Sequence, residues 1–134
     1  MGLPGSGKTT LATQLAKKLN AVHLNADEIR DLFNDHNFSR AGRFTQARRM
    51  RDLSEIVSRN GTPVVVDFVC PLEETRSIFA ADFTIWMDRI KQGRFEDTNH
   101  MFEIPSEFDL RITGNYDVDG VHERVLRHFA QGAC

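Results

Sequence analysis

Residues 2–9 constrain the fold of this chain more than any other segment. Their sequence, Gly-Leu-Pro-Gly-Ser-Gly-Lys-Thr, fits the pattern G-x-x-x-x-G-K-[ST] at every fixed position. Glycines at these spacings permit a tight turn in which backbone N–H groups surround an oxyanion at the positive end of a following helix. A glycine-rich loop with a chance lysine is the alternative, but apolar residues at helical spacing follow directly at Leu11, Leu15 and Leu19. The motif therefore predicts a phosphate-binding loop that leads into a helix.

This loop is expected to bind a purine nucleoside triphosphate. Lys8 would reach the β- and γ-phosphates, which makes it a candidate catalytic residue, and Thr9 would hold Mg²⁺. A purine nucleoside triphosphate and Mg²⁺ are thus the expected cofactors. The residues expected to bind the nucleotide are Gly2, Pro4, Gly5, Ser6, Gly7, Lys8, Thr9 and Thr10.

Strand-like and helix-like segments alternate along the rest of the chain. After the helix that ends near residue 19, helices are predicted at 27–33, 41–59, 73–80 and 118–129, and strands at 21–24, 63–69, 83–87 and 110–113. The nearly unbroken apolar run in 63–69 is typical of a parallel strand buried on both faces. The alternation predicts an α/β fold, a doubly wound parallel sheet with helices on both sides.

The length of 134 residues suits a single domain. A phosphate-binding loop of this kind normally follows a buried strand, yet only Met1 precedes Gly2. We therefore expect one domain over 1–134 that lacks its N-terminal first strand. The alternative is a sheet that closes up, with the 64–69 strand pairing directly with the 83–87 strand.

Two carboxylates follow predicted strands, at the edge where parallel sheets collect ligands. Asp27 could orient Mg²⁺ or accept the proton of an attacking hydroxyl, but an Asp here could equally be a helix N-cap. Asp67 ends the most apolar strand and could hold Mg²⁺ through water. Its alternative is a hydrogen bond to a neighbouring loop or to solvent.

Composition narrows the class of partner. The net charge of −2 carries no overall basic signature of nucleic-acid binding, and no apolar run approaches the length of a membrane span. Cys70 and Cys134 have no metal-like spacing and suggest a reducing, cytoplasmic setting. We expect a small-molecule substrate, no nucleic acid and no membrane as partners, and a homodimer as the assembly.

The ordered motifs resemble those of adenylylsulfate kinases. Residues 2–12 are similar to the phosphate loop of that family, and 24–30 resemble its Leu-Asp-Gly-Asp-x-x-Arg. Residues 38–43 resemble its Gly-Phe-Ser-x-x-Asp-Arg, and 69–71 its Ile-Ser-Pro-Tyr. Phe95 and the segment 102–105 keep the family spacing of Phe to Tyr-Glu-x-Pro. The resemblance implies a P-loop kinase that uses ATP to phosphorylate the 3′-hydroxyl of adenosine 5′-phosphosulfate, in sulfate assimilation.

The resemblance also implies residue roles. Asp27 would be the base, Phe38 and Phe95 would stack on both faces of the substrate adenine, and Arg89 would help to cover ATP. The remaining residues implied to bind the phosphosulfate or line its site are Arg30, Arg43, Gln46, Cys70, Pro71 and Ile104.

The chain departs from the family pattern at three motif positions and in one longer segment. Asn25 replaces the first Asp, Ala26 the Gly and Cys70 the Ser, and residues 87–93 replace a longer basic lid. Two other functions therefore stay open. One is a kinase for another small hydroxyl substrate, such as a nucleoside, a sugar acid or a nucleic-acid end; the other is a nucleotide-binding module without turnover.

Overall fold

The computed structural model describes residues 1–90 and 101–131. In this part of the chain the helices are α1 (Lys8–Leu19), α2 (Ala26–Leu32), α3 (Arg40–Arg59), α4 (Glu73–Phe79) and α5 (Val118–Gln131). The strands are β1 (Val22–Asn25), β2 (Val64–Asp67), β3 (Ile85–Met87) and β4 (Leu110–Ile112). The order of elements predicted from the sequence is confirmed, with boundaries that differ by at most two residues.

All observed strand pairs are parallel. β1 pairs with β2 so that Val22 lies opposite Val64 and Asn25 opposite Asp67. β3 pairs with β4 in a second two-stranded sheet. Within the described residues β2 and β3 do not pair, so the alternative in which the sheet closes up between them is wrong.

The backbone of Met1 lies beside β3 at this break between the sheets. The Met1 amino group donates to the carbonyl oxygen of Ile85 at 2.8 Å, and the N–H of Met87 donates to that of Met1 at the same distance. Burial lowers the pKa of the Met1 amino group to about 5. The start of the phosphate loop is thereby attached to the sheet by backbone hydrogen bonds.

The main apolar core lies between α1, α5 and the second sheet. Leu11 and Leu15 of α1 cluster with Met87, Ile112 and Val125. On α3 the buried residues lie instead on the face that packs against α4, β1 and β2. These contacts hold helices against both sheets, and the α/β class is confirmed.

The end of β2 differs from the predicted bound for an identifiable reason. β2 ends at Asp67, whose partner Asn25 ends β1 and caps α2. The chain then turns at Cys70, which has a left-handed φ of 47°. Phe68 and Val69 are consequently outside the strand.

No helix in the described ranges is long and apolar enough to cross a membrane.

Candidate active site

The phosphate loop turns through two glycines in the left-handed region. Gly5 has a φ of 88° and Gly7 a φ of 93°, and α1 begins at the next residue, Lys8. The Lys8 Nζ donates to the carbonyl oxygen of Leu3 at 3.1 Å, across the loop. The predicted loop-to-helix transition is therefore present, with the lysine folded over the turn that the glycines allow.

Arg89, predicted to cover the nucleotide, lies against this loop. Its Nη1 donates to the carbonyl oxygen of Ser6 at 3.3 Å, and a Cβ added to Gly7 would lie 2.6 Å from the same nitrogen. The guanidinium is also 5.7 Å from the ring centroid of Tyr116. Sequence reasoning missed Tyr116, although its position shortly after β4 places it beyond the carboxyl end of a parallel strand.

Asp67 lies at the centre of a polar cluster beside the loop. Its Oδ1 accepts hydrogen bonds from the Thr9 hydroxyl at 3.1 Å and from the Asn25 amide at 3.0 Å. Its Oδ2 contacts the Nε2 of His23. The residue as a whole is buried, with 5% of its surface exposed. The structure thus brings together two predicted magnesium ligands, Thr9 and Asp67, with two residues that the sequence reasoning did not select as site residues.

The pairing of β1 with β2 explains why His23 and Asn25 belong to the cluster. They are separated by two positions on a strand and therefore point to the same face. Asn25 lies opposite Asp67 in the register. Polar residues at alternate positions of a strand that precedes Asp27 were the available signal.

The donor chemistry of the cluster fits magnesium. Mg²⁺ prefers oxygen ligands and is usually held by one or two carboxylates, with substrate phosphates and water completing the set. Thr9 and Asp67 supply a hydroxyl and a carboxylate. Within residues 1–90 and 101–131 no group of three or more His, Cys, Asp and Glu side chains could hold a metal ion, so further ligands would come from the triphosphate and water.

Asp27 lies apart from this cluster. The helix N-cap is Asn25, whose Oδ1 accepts the N–H of Glu28 at 2.9 Å, so the alternative interpretation of Asp27 as the cap is wrong. Asp27 is exposed in the first turn of α2. Within the part of the chain that the structure describes, no hydrogen bond joins the Asp27 carboxylate to Thr9 or Asp67.

Most of the residues implied to bind the second substrate line one pocket with Asp27. The pocket is lined by Ala26, Asp27, Arg30, Phe38, Arg43, Gln46, Phe68, Val69, Cys70, Pro71 and Thr75. Ile104 is 77% exposed and is not part of this lining. Phe95 lies outside the described residues.

Phe38 lies between two arginines at the pocket. Its ring centroid is 4.3 Å from the Arg30 guanidinium carbon and 5.6 Å from that of Arg43. Arg30 also donates to the carbonyl oxygen of Asn37 at 3.0 Å and to Asp35 at 3.3 Å, and burial lowers its pKa. Half of the Phe38 surface nevertheless stays exposed. This loop therefore presents an aromatic face flanked by positive charge.

Gln46 and Cys70 lie deeper. The Gln46 amide donates to the carbonyl oxygen of Ala26 at 3.0 Å and accepts from Arg49 at 2.7 Å, so both ends of the side chain are used within the protein. Cys70 is buried beside the Thr75 hydroxyl, and burial raises the pKa of its thiol. Both residues shape the pocket wall.

Arg76 holds the turn that carries Cys70. It donates to the carbonyl oxygens of Cys70 at 2.9 Å, Pro71 at 3.2 Å and Glu103 at 2.7 Å. It also donates to the Glu73 carboxylate at 3.0 Å, so its donors are bonded within the protein. Its guanidinium therefore joins the 70–71 turn to the segment at Glu103.

Comparison with known proteins supports the family expected from the motifs. A family model described as "AAA domain" matches residues 1–90. An adenylyl-sulfate kinase of Synechococcus sp. (strain JA-3-3Ab) is 28% identical over 138 residues, covering 96% of this chain and 70% of the relative. That of Chloroflexus aurantiacus is 37% identical over 133 residues, covering 94% of this chain and only 63% of the relative.

The fold is similar to solved kinases as well. The Mycobacterium tuberculosis APS kinase, in complex with AMPPNP and APS, has a TM-score of 0.77 at 23% identity, covering 97% of this chain and 94% of that one. The predicted resemblance and fold class are both confirmed. Because the family model matches more than half of its residues, the chain belongs to the AAA domain family, with the fold of a P-loop kinase and a sequence similar to adenylylsulfate kinases.

Proposed function

We propose that this chain transfers the γ-phosphoryl group of ATP to the 3′-hydroxyl of adenosine 5′-phosphosulfate. The observation that supports this most is the single pocket in which Asp27 lies with Arg30, Phe38 and Arg43. It offers an exposed carboxylate, an aromatic face and two cations. These match a hydroxyl to be deprotonated, a flat base and an acidic group on one small molecule.

The nucleotide half of the reaction rests on the phosphate loop. The loop N–H groups and Lys8 would hold the β- and γ-phosphates, and Arg89 lies close enough to the loop to add positive charge. Thr9 and Asp67 would hold Mg²⁺, which neutralises negative charge on the phosphates when bound. Little covalent chemistry is left for the protein, so positioning and charge stabilisation provide most of the rate.

The transfer step assigns one role to each side of the site. The acceptor oxygen forms a bond to the γ-phosphorus as the bond from that phosphorus to the β–γ bridging oxygen breaks, which releases ADP. The acceptor proton passes to the Asp27 carboxylate. Lys8 balances charge that moves onto the leaving oxygen. Asp27 lines the pocket with Arg30 and Phe38, whereas Asp67 accepts the Thr9 hydroxyl beside the phosphate loop, which supports separate roles for the two acids.

A panel of acceptors tests the proposal. A coupled assay of ADP release with Mg-ATP should show the strongest stimulation by adenosine 5′-phosphosulfate, above gluconate, shikimate and free nucleosides. Phe38→Leu should weaken the acceptor more than the nucleotide, because it removes the aromatic face and leaves the phosphate loop intact. Stimulation by one of the other acceptors alone would assign a different substrate. Nucleotide binding without any ADP release would show a binding module.

A further inference from the structure

We propose that His23 is a positioning residue, which fixes the rotation of the Asp67 carboxylate so that one oxygen faces Thr9. The inference rests on the proposed function, because it assigns Asp67 and Thr9 to magnesium. It concerns a residue that no motif in the sequence marks. The contact between His23 Nε2 and Asp67 Oδ2 is the observation that carries it.

The direction of this hydrogen bond follows from its partner. An ionised carboxylate only accepts hydrogen bonds, so Nε2 of His23 carries the proton and donates it to Oδ2. The side chains of His23 and Asp67 are 22% and 6% exposed. Water therefore has little access to Oδ2, and an unpaired oxygen at this depth would be costly.

The opposite oxygen has a different set of donors. Asn25 uses its Oδ1 to cap α2, so its NH₂ group is the end that must face Asp67. The Thr9 hydroxyl gives its proton to Asp67 Oδ1 at 3.1 Å and accepts a longer hydrogen bond from the Asn25 amide at 3.4 Å, which leaves one lone pair of the Thr9 oxygen for a cation. The hydrogen bonds from Thr9 and Asn25 therefore both depend on the position of Asp67 Oδ1.

The carboxylate needs partners on both sides to stay there. The last torsion of an Asp side chain, χ2, has a broad and roughly two-fold distribution, so the χ1 rotamer alone does not fix the carboxylate plane. His23 on Oδ2 and the Thr9–Asn25 pair on Oδ1 define that plane together. Without His23 the carboxylate can rotate toward water or other donors, and the Thr9 hydroxyl loses its oriented acceptor.

Isosteric variants separate positioning from packing. The Gln amide nitrogen reaches about as far as the Nε2 of His, whereas the Asn amide nitrogen reaches only about as far as Nδ1. His23→Gln should therefore retain the hydrogen bond to Asp67. His23→Asn and His23→Leu should lose it, the first while staying polar and the second while staying bulky.

The measurement is the gain in affinity for a fluorescent ATP analogue on adding Mg²⁺, relative to EDTA, at one pH, with thermal melts of every variant. Outer partners of metal ligands are typically worth about 10–100-fold in metal affinity. We expect His23→Asn and His23→Leu to reduce the magnesium-dependent gain about tenfold or more. Affinity in EDTA should change little, and His23→Gln should recover most of the gain.

Asp67→Asn is the reference that separates two kinds of failure. If it abolishes the gain while His23→Leu keeps it, or if Gln and Leu at position 23 behave alike, the role of His23 is overturned and the magnesium site stands. If Asp67→Asn keeps the full gain, Asp67 does not hold magnesium and both assignments are wrong. Loss of the gain in proportion to lost thermal stability, in all three His23 variants, would show a packing role and also overturn the proposal.

Discussion

A single methyl group on α3 tests how the pocket loop is held. Gly42 is the third residue of α3, and a Cβ added there would lie 2.6 Å from Asn37 Cγ and closer still to the Asn37 carbonyl oxygen. That oxygen accepts a hydrogen bond from Arg30, and the next residue, Phe38, accepts one from Arg43. Gly42→Ala must therefore displace backbone that carries the aromatic face of the pocket.

The expected magnitude combines two opposing terms. Overpacking of this kind costs about 1–3 kcal/mol in the free energy of unfolding. Ala is favoured over Gly inside a helix by about 1 kcal/mol, less near its first turn. We expect Gly42→Ala to destabilise the protein by about 1–2 kcal/mol net, which is about 3–8 °C in melting temperature for a chain of this size.

The chain offers a matched control in Gly120. It is also the third residue of its helix, α5, but among the described residues the nearest atoms to a Cβ there are those of Asp117, at 4.0 Å. Gly120→Ala should therefore leave stability unchanged or raise it by up to about 1 kcal/mol.

Thermal melts and acceptor kinetics, measured on both variants, decide the matter. Gly42→Ala should lower the melting temperature and raise the KM for the acceptor, because Phe38 moves. Gly120→Ala should change neither for the worse. If the two variants shift the melting temperature in the same direction by the same amount, with equal acceptor KM, then the close approach of Asn37 has no energetic weight and the reasoning fails.

Four further outcomes are expected. Lys8→Ala should lower phosphoryl transfer at least about a hundredfold at saturating ATP in steady-state kinetics, and a near-normal kcat would remove its assigned role. Asp27→Asn should impair transfer far more than binding of an ATP analogue, whereas an active Asp27→Asn beside an inactive Asp67→Asn would assign the base to the other acid. The Met1 amino group, with its pKa lowered to about 5 by burial, binds fewer protons in the folded chain than in the unfolded chain between pH 5 and 8, so the melting temperature should rise across that window. Five or six apolar strand residues added before Gly2 should raise the melting temperature and flatten this dependence, and equal melts of both forms would contradict the expected benefit of a strand there.

The sequence predicted those parts of the site that rest on one local pattern. The phosphate loop needs only its own glycines, Lys8 and a following helix, and all are where the motif places them. The strand that ends at Asp67 was recognisable from its apolar run, although its last residues were assigned too far because the turn at Cys70 depends on contacts with Thr75 and Arg76. The local sequence pattern was therefore enough to predict the helices and strands, but not the strand end that depends on tertiary contacts.

What the sequence could not predict depends on which strands become neighbours. His23 looks like an ordinary strand residue until β1 pairs with β2, when it reaches a carboxylate forty-four positions away. Arg76 could have faced a ligand, and only the structure shows that its donors bond the Glu73 carboxylate and the backbone of the 70–71 turn and of Glu103. Such roles come from long-range pairing, which a single sequence does not display.

Asn25, which stands where adenylylsulfate kinases have an Asp, can be understood from the electrostatics around Asp67. An Asp at position 25 would put a second carboxylate about where the Asn25 amide now donates, 3.0 Å from Asp67 Oδ1. Two negative charges at such a short distance in a poorly solvated site repel each other. Asn25 replaces that repulsion with a hydrogen bond and still caps α2 through its oxygen. With His23 on the other oxygen, the protein itself supplies three donors to Asp67. These donors use three of the about four acceptor positions of the carboxylate, two on Oδ1 and one on Oδ2. The same three donors that stabilise the buried charge therefore also fix how the carboxylate is oriented beside the phosphate loop.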